Sequence, residues 1–327
     1  MLFVVLEIEL NPLRLNRRSF IAGVSAGVAT AAMSPALSSA QDATQEKPYE
    51  FCTFIKFLQD LSYERLAETI KNIGLDGAEV TVRKRGYISP ESAADELPKL
   101  AEVFKRHDLK INIVTTDIVG TDTPHAEAIL KTASGLGISN YRMGFHRYDL
   151  KAPIGPQLAS IKPMFGELAA LNRESGVSGG YQNHAGGKYL GATFWDLRHV
   201  LSDIPPEEIG CIFDIRHAVA EGSGAWPIYY DIIKPHINAL SAKDFHWALK
   251  KEKDIHLSPI HCPLGKGQVN YEGFLRQFMN DFEKALVTLH VEYLPKAGVE
   301  ANIAAINRDF GVLQKWMGEK NLAVETP

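Results

Sequence analysis

The sequence has little cysteine: Cys52, Cys211 and Cys262 are the only three in 327 residues, an odd count with no short pairing motif. A disulfide framework is therefore excluded as the main source of stability, even in a compartment that would permit one. Cys211, inside the apolar run IGCIFD, reads as a small buried hydrophobe. There is no basic excess either. With 35 lysines and arginines against 39 aspartates and glutamates, the net charge of -4 offers no footprint for nucleic acid. No GxGxxG and no GxxxxGK[ST] pattern occurs, so there is no sequence case for a dinucleotide or P-loop nucleotide site. The Ala/Gly-rich stretch IAGVSAGVATAAM near the N-terminus is too short and too weakly apolar for stable membrane insertion.

What surrounds that stretch is informative. Asn16-Arg17-Arg18-Ser19-Phe20 precedes it, Pro35 breaks it, and the small residues Ser38-Ser39-Ala40 follow. This is the layout of a cleavable export signal, and the arginine pair resembles a twin-arginine signal, which hands folded proteins to the twin-arginine export machinery. The expectation is a signal over 1–40 that is removed, a linker over 41–49, and a periplasmic or secreted mature protein. Residues 1–40 hold three arginines and two glutamates, so the mature charge is 32 minus 37, or -5, and the exclusion of polyanions stands. The opening MLFVVLEIEL is unusual for such a signal and leaves a start codon further downstream open.

From Pro48 onward, apolar strand-like runs alternate with segments of helical spacing. The strand candidates are EFCTFIKF, GAEVTV, KINIVTTD, NYRMGFH, SGGYQNH, IGCIFDIRH, INALSAKD and LVTLHVE. Helical segments such as YERLAETIKNIG, SAADELPKLAEVFKRHD and IKPMFGELAALNRESG lie between them, and IAAINRDFGVLQKWM closes the series. With 45% hydrophobic residues the chain can bury a large core, and eight such units predict a single (β/α)8 TIM barrel over 50–322 with a tail over 323–327. A doubly wound open sheet is the competing arrangement. Gly74, Gly137 and Gly176 follow helical segments and suit C-cap positions of positive φ. Gly265-Lys266-Gly267, in the loop after the seventh strand, is the one glycine-rich phosphate candidate, although it reads equally well as a turn.

In a parallel barrel the strand C-termini converge on one mouth, so residues remote in sequence become neighbours there. Four late strands end in chemically capable residues: Gln182, Asn183 and His184; Asp214 and His217; Ser241, Lys243 and Asp244; and Glu292. Earlier strand ends add Lys56, Glu79, Arg83, Asp117, Arg142 and His146, which are suited to hydroxyl or carboxylate recognition or to salt bridges at the rim. Trp195, Trp226 and Trp247 lie near the later mouth loops, where aromatic faces could stack on sugar rings or simply pack between loop and helix.

The order strand-NH, strand-D-x-x-H, strand-K-D, G-x-G-x-V-x-Y and strand-E resembles the sugar phosphate isomerase/epimerase superfamily, the xylose isomerase-like TIM barrels. The resemblance runs from about Glu50 to Leu322. It implies an isomerase or epimerase acting on a ketose or keto-sugar by metal-assisted proton abstraction, with a divalent ion (Mn, Mg, Co or Zn) held by Glu, Asp, His and Glu. Carried over by motif, Asp214, Glu292 and Gln182 are the metal positions. Glu292, Lys243 and His217 carry the chemistry, and His184, Glu79, Lys56, Arg142 and Trp247 face the substrate. Two positions depart from the pattern: the usual E-N-H begins with Gln182, and the His of H-x-K-D is Ser241.

Those departures have physical consequences. A glutamine carbonyl ligates a hard cation without supplying charge, and a neutral serine hydroxyl is a poor ligand. His184, His217 or His246 would have to supply a replacement donor. Gln182 cannot take a proton near neutral pH, so the two-glutamate mechanism implied by the resemblance is lost unless Asp244 or Glu79 is the second carboxylate. A keto-glycoside lyase or hydrolase of the same fold, or a barrel that only binds carbohydrate, are the alternative functions. Cleavage of abasic DNA is disfavoured by the acidic chain. A homo-oligomer is compatible with the sequence.

Overall fold

The computed structural model describes residues 48–251 and 255–318. The expected signal and nearly all of the linker, together with the C-terminal tail, lie outside the described residues. Eight parallel strands close a barrel: β1 (Tyr49–Phe54), β2 (Gly77–Thr81), β3 (Lys110–Thr115), β4 (Asn140–Arg142), β5 (Ser178–Gln182), β6 (Ile209–Asp214), β7 (Ile237–Ala242) and β10 (Ala285–Leu289), with β10 paired to both β7 and β1. All eight strand candidates are thus present, in one (β/α)8 barrel rather than an open sheet. Helices α1 (Tyr63–Ile73), α2 (Ala93–Arg106), α3 (Ala126–Gly135), α4 (Ile154–Ser175), α5 (Trp195–Leu201), α8 (Tyr271–Asp281) and α9 (Val299–Gly318) cover the outside. Among the described residues no helix is long and apolar enough to cross a membrane.

Local chemistry sets the helix ends. Ser62 caps α1 by accepting from the Arg65 amide at 3.3 Å, and Asn270 caps α8 by accepting from the Gly273 amide at 3.0 Å. Gly74 and Gly176 end α1 and α4 at φ +88° and +70°, and Gly137 sits at +74°, as expected of glycines that free the chain for the next strand.

Two features were hidden in the sequence. The run IGCIFDIRH is not one strand: it stops at Asp214, whose carboxylate accepts from the His217 amide at 3.0 Å and so caps α6 (Ile215–Gly222), with α7 (Trp226–Ile233) following. His217 therefore stands on the first turn of a helix. After β7 the chain makes an antiparallel hairpin of β8 (Asp244–Ala248) and β9 (Ser258–Cys262) before returning to α8.

Strand alternation layers the barrel interior. Cys52, Ile113, Ile212 and Ala239, with Leu286 against them, form a small apolar cluster separate from the large strand–helix core. Two residues further along four of these strands, toward the mouth, stand Thr115, Asp214, Ser241 and Thr288, all buried and polar, while β1 places Phe54 there. The apolar plug thus sits beneath a polar layer, and the chemistry is confined to the C-terminal end.

Candidate active site

The polar layer divides into two linked clusters. In the first, Glu79 is fully buried and both its oxygens are engaged. Thr115 Oγ1 and Thr288 Oγ1 each donate at 2.6 Å, His290 Nε2 lies 2.8 Å away and Arg142 Nε 3.0 Å away. Burial alone would raise this carboxyl, but the His290 and Arg142 charges and the hydrogen bonds outweigh it and hold the group well below the usual carboxylate range. Arg142 lies over the Phe54 ring and donates to Gln182 Oε1. Glu79 and Arg142 were expected to face substrate, and Glu79 was an alternative second base. Instead they form a closed ion pair inside the barrel, because Glu79 is the middle residue of β2 and points into the interior rather than at the rim.

The second cluster lies at the mouth. Asp214 is fully buried, and its Oδ2 meets Gln182 Nε2 at 2.7 Å, Ser241 Oγ at 3.0 Å and Lys243 Nζ at 3.0 Å. Lys243 Nζ is also 3.1 Å from Glu292 Oε2, while Lys56 Nζ is 3.0 Å from Glu292 Oε1. Burial pushes the Glu292 carboxyl up, yet Lys243, His290, Lys56 and His261 together hold it well below its usual value. Asn183 clamps the Asp214 backbone, accepting from its amide at 2.7 Å and donating to its carbonyl at 3.0 Å.

Neighbouring histidines have tautomers set by their partners. Arg216 Nη1 lies 2.8 Å from His217 Nδ1; arginine can only donate, so Nδ1 accepts and the proton of the neutral ring is on Nε2. That Nε2 is buried, has no hydrogen-bond partner, and lies 3.8 Å from Asp214 Oδ2. His184 Nδ1 lies 2.8 Å from the Ala185 carbonyl and must donate to it, which leaves Nε2 as an acceptor. The two rings pack with centroids 4.1 Å apart. Burial and then the Lys243 charge hold both neutral, His184 at about 4 and His217 well below its ordinary value. Burial and Arg216 likewise bring His261, on β9, to about 4.

Most of the expected mouth residues meet: Gln182, Asp214, Lys243, Glu292, Lys56, His184 and His217. Others do not. His246 is exposed on β8 and supplies no replacement donor, whereas His261 on the paired strand comes close enough to feel the charges of Lys243, Glu292 and Asp214. Asp244 is not a second base: its carboxylate accepts from the amides of Phe245, Gly265, Gly267 and Val269 at 2.8 to 3.2 Å. The same bonds dispose of the phosphate candidate, since the Gly265 and Gly267 amides already hold an internal anion and the Lys266 amide donates to the Pro263 carbonyl. Trp247 is 42% exposed on β8 and sits edge-on to Phe245 at 5.5 Å. Asp117 and His146 serve loop structure, accepting from the Lys84 amide and donating to the Val119 carbonyl respectively.

Arg216 and His261 carried no recognisable motif. Arg216 lies beside the singled-out His217, and it ties the hairpin to the mouth by donating to the Pro259 carbonyl at 2.9 Å. A cavity of about 630 Å³ opens at the opposite end of the barrel, lined by strand-start residues such as Glu50, Lys110 and Asn140. That face of a barrel serves stability, and its Glu50 carboxylate is already paired with Lys110 and Asn112.

A family model described as xylose isomerase-like TIM barrel matches residues 67–309. The chain belongs to this family. Among solved structures it is similar to 3-keto-D-glucoside 4-epimerase from E. coli (12% identity, 80% of this chain and 99% of that one, TM-score 0.61). It is also similar to D-psicose 3-epimerase with D-tagatose from Clostridium cellulolyticum H10 (11%, 82% and 98%, 0.60). A third is a xylose isomerase-like TIM barrel protein from Mycobacterium smegmatis in complex with magnesium (15%, 82% and 97%, 0.58). At these identities the likeness is one of fold. No curated protein matches the chain.

The magnesium in that neighbour makes the donor chemistry of this chain worth testing against a divalent ion. It fits poorly. Among the described residues no group of three or more His, Cys, Asp or Glu side chains is arranged to hold a metal. Gln182 turns its amide nitrogen, not its oxygen, toward Asp214, and its orientation is fixed because Arg142 only donates and Asp214 only accepts. The charges of Asp214 and Glu292 are already matched by Lys243 and Lys56.

Proposed function

We propose that the chain is an enzyme that moves a proton at the carbon next to a carbonyl of a ketose or keto-sugar, giving isomerisation or epimerisation. The observation that carries this reading is Glu292, a carboxylate kept ionised at the mouth with 15% of its side chain exposed and two lysines beside it. A base of low proton affinity suits a carbon acid only if the resulting enolate is stabilised, and adjacent ammonium groups supply that stabilisation. The two histidines complete the set: the His217 Nε2–H can donate to a substrate oxygen, and the His184 Nε2 can accept from a hydroxyl. A sugar hydroxyl, both donor and acceptor, matches such a pair. The epimerases among the solved neighbours support the substrate class.

With Gln182 unable to take a proton, the second proton-transfer partner is His184 or the solvent rather than a second glutamate. Loss of a leaving group from the enolate gives the second reading, a keto-glycoside lyase, which the replacement at Gln182 favours. Incubation with a panel of ketoses and 3-keto-glycosides, followed by NMR, tests the assignment. An epimer or isomer supports the first reading and an enone with released aglycone the second. No turnover of any member sinks both and leaves a carbohydrate-binding barrel.

Export belongs to the same reading. Arg17→Lys with Arg18→Lys is expected to hold precursor in the cytoplasm, as read by fractionation and immunoblot, and normal secretion would count against a twin-arginine signal. A substrate met outside the cytoplasm is then an unphosphorylated sugar.

A further inference from the structure

We infer that the Lys243 ammonium takes the place of a divalent cation in this barrel, so that the site is built to work without bound metal. Lys243 Nζ bridges Asp214 Oδ2 and Glu292 Oε2 at 3.0 and 3.1 Å, and only 5% of its side chain is exposed. A cation between two carboxylates, one at the end of β6 and one just after β10 on either side of β7, is what a metal centre would place there, and here the chain supplies it covalently. The two positions that depart from the family pattern, Ser241 and Gln182, agree. Ser241 donates to Asp214 at 3.0 Å and Gln182 donates to it at 2.7 Å, so groups that would be ligands in a metal site act as hydrogen-bond donors to the carboxylate. Two carboxylates and two lysines sum to zero. A divalent ion added to that set would bring two uncompensated charges into a largely buried place, whereas an anionic ligand set is what holds hard cations.

The catalytic half of this inference rests on the proposed proton transfer: Lys243 is then the electrophile toward which the carbonyl oxygen gains charge. The binding half does not depend on it. Chelator-treated wild-type protein titrated calorimetrically with Mn²⁺ or Zn²⁺ is expected to show no saturable site up to about 1 mM. The variant Gln182→Glu/Ser241→His/Lys243→Ala, its fold checked by circular dichroism, is expected to bind one ion at least about tenfold more tightly than Gln182→Glu/Ser241→His with the lysine retained. One Mn²⁺ or Zn²⁺ per wild-type chain at micromolar affinity would overturn the inference, as would equal metal affinity in the two folded variants. Should the variants fail to fold, the wild-type titration decides alone. These outcomes concern the lysine only, whereas absence of turnover on every sugar would count against the reaction and leave the titration result intact.

Discussion

Glu292→Gln is expected to lower kcat by about 10²- to 10⁴-fold while shifting ligand affinity by less than about tenfold. The amide keeps the volume of the carboxylate and can still accept from Lys56, whose Nζ lies 3.0 Å from Oε1 in the wild type. What it cannot do is take a proton. Lys243 keeps Asp214 as its partner at 3.0 Å, so its position should survive the change. The loss should therefore fall on kcat rather than KM, as read by steady-state kinetics on whichever sugar is turned over and by calorimetry with the same sugar. Unchanged turnover would remove Glu292 from the chemistry and return the role of base to the histidines.

The other large effect concerns stability. Glu79→Ala strips a buried arginine of its ion pair and leaves His290, Thr115 and Thr288 without their shared acceptor. Breaking a buried pair from one side costs about 3–5 kcal/mol, which for a domain of this size is roughly 6 to 20 °C in Tm. Thermal unfolding by circular dichroism measures it, and a drop of less than about 3 °C would mean that the cluster contributes little. The pH dependence follows from the signs. Glu79 has a lower pKa folded than unfolded, so its contribution is complete above the ordinary value of 4.5 and is lost as pH falls below it. His184 and His261 are held near 4 against an ordinary 6.5, so the fold prefers them neutral. Their contribution is complete above about 6.5 and is lost between there and about 4. Acid loosening of the mouth should precede that of the interior cluster.

The barrel was legible because buried parallel strands are written as short apolar runs and the helices between them carry their own caps, as at Ser62 and Gly74. Placement of polar residues along those runs was harder to read. Glu79 looked like a strand-end residue, but it lies one pleat short of the mouth, and that single step turns a substrate contact into an interior ion pair. Asp214 was recognised as a site residue, although its second role as the cap that starts α6 was not, because strand and helix join with no turn residues between them. The β8–β9 hairpin is not legible in the sequence because DFHWALKKEKDIHLSPIHC lacks the clean alternation of a half-buried ribbon. With it went His261 and the Pro259 carbonyl that receives Arg216. Lys243 is legible as a strand-end residue, but its bridging of Asp214 and Glu292 depends on the reach of a long side chain, which no sequence spacing encodes.

The most direct single measurement is solvent deuterium incorporation. In D₂O with excess chelator, the wild-type protein should place deuterium at the carbon next to the carbonyl of a ketose or 3-keto-glycoside, and Glu292→Gln should not. Absence of deuterium from every sugar offered, with wild-type protein shown to be folded and to bind the sugar, would contradict proton transfer as the work of this barrel.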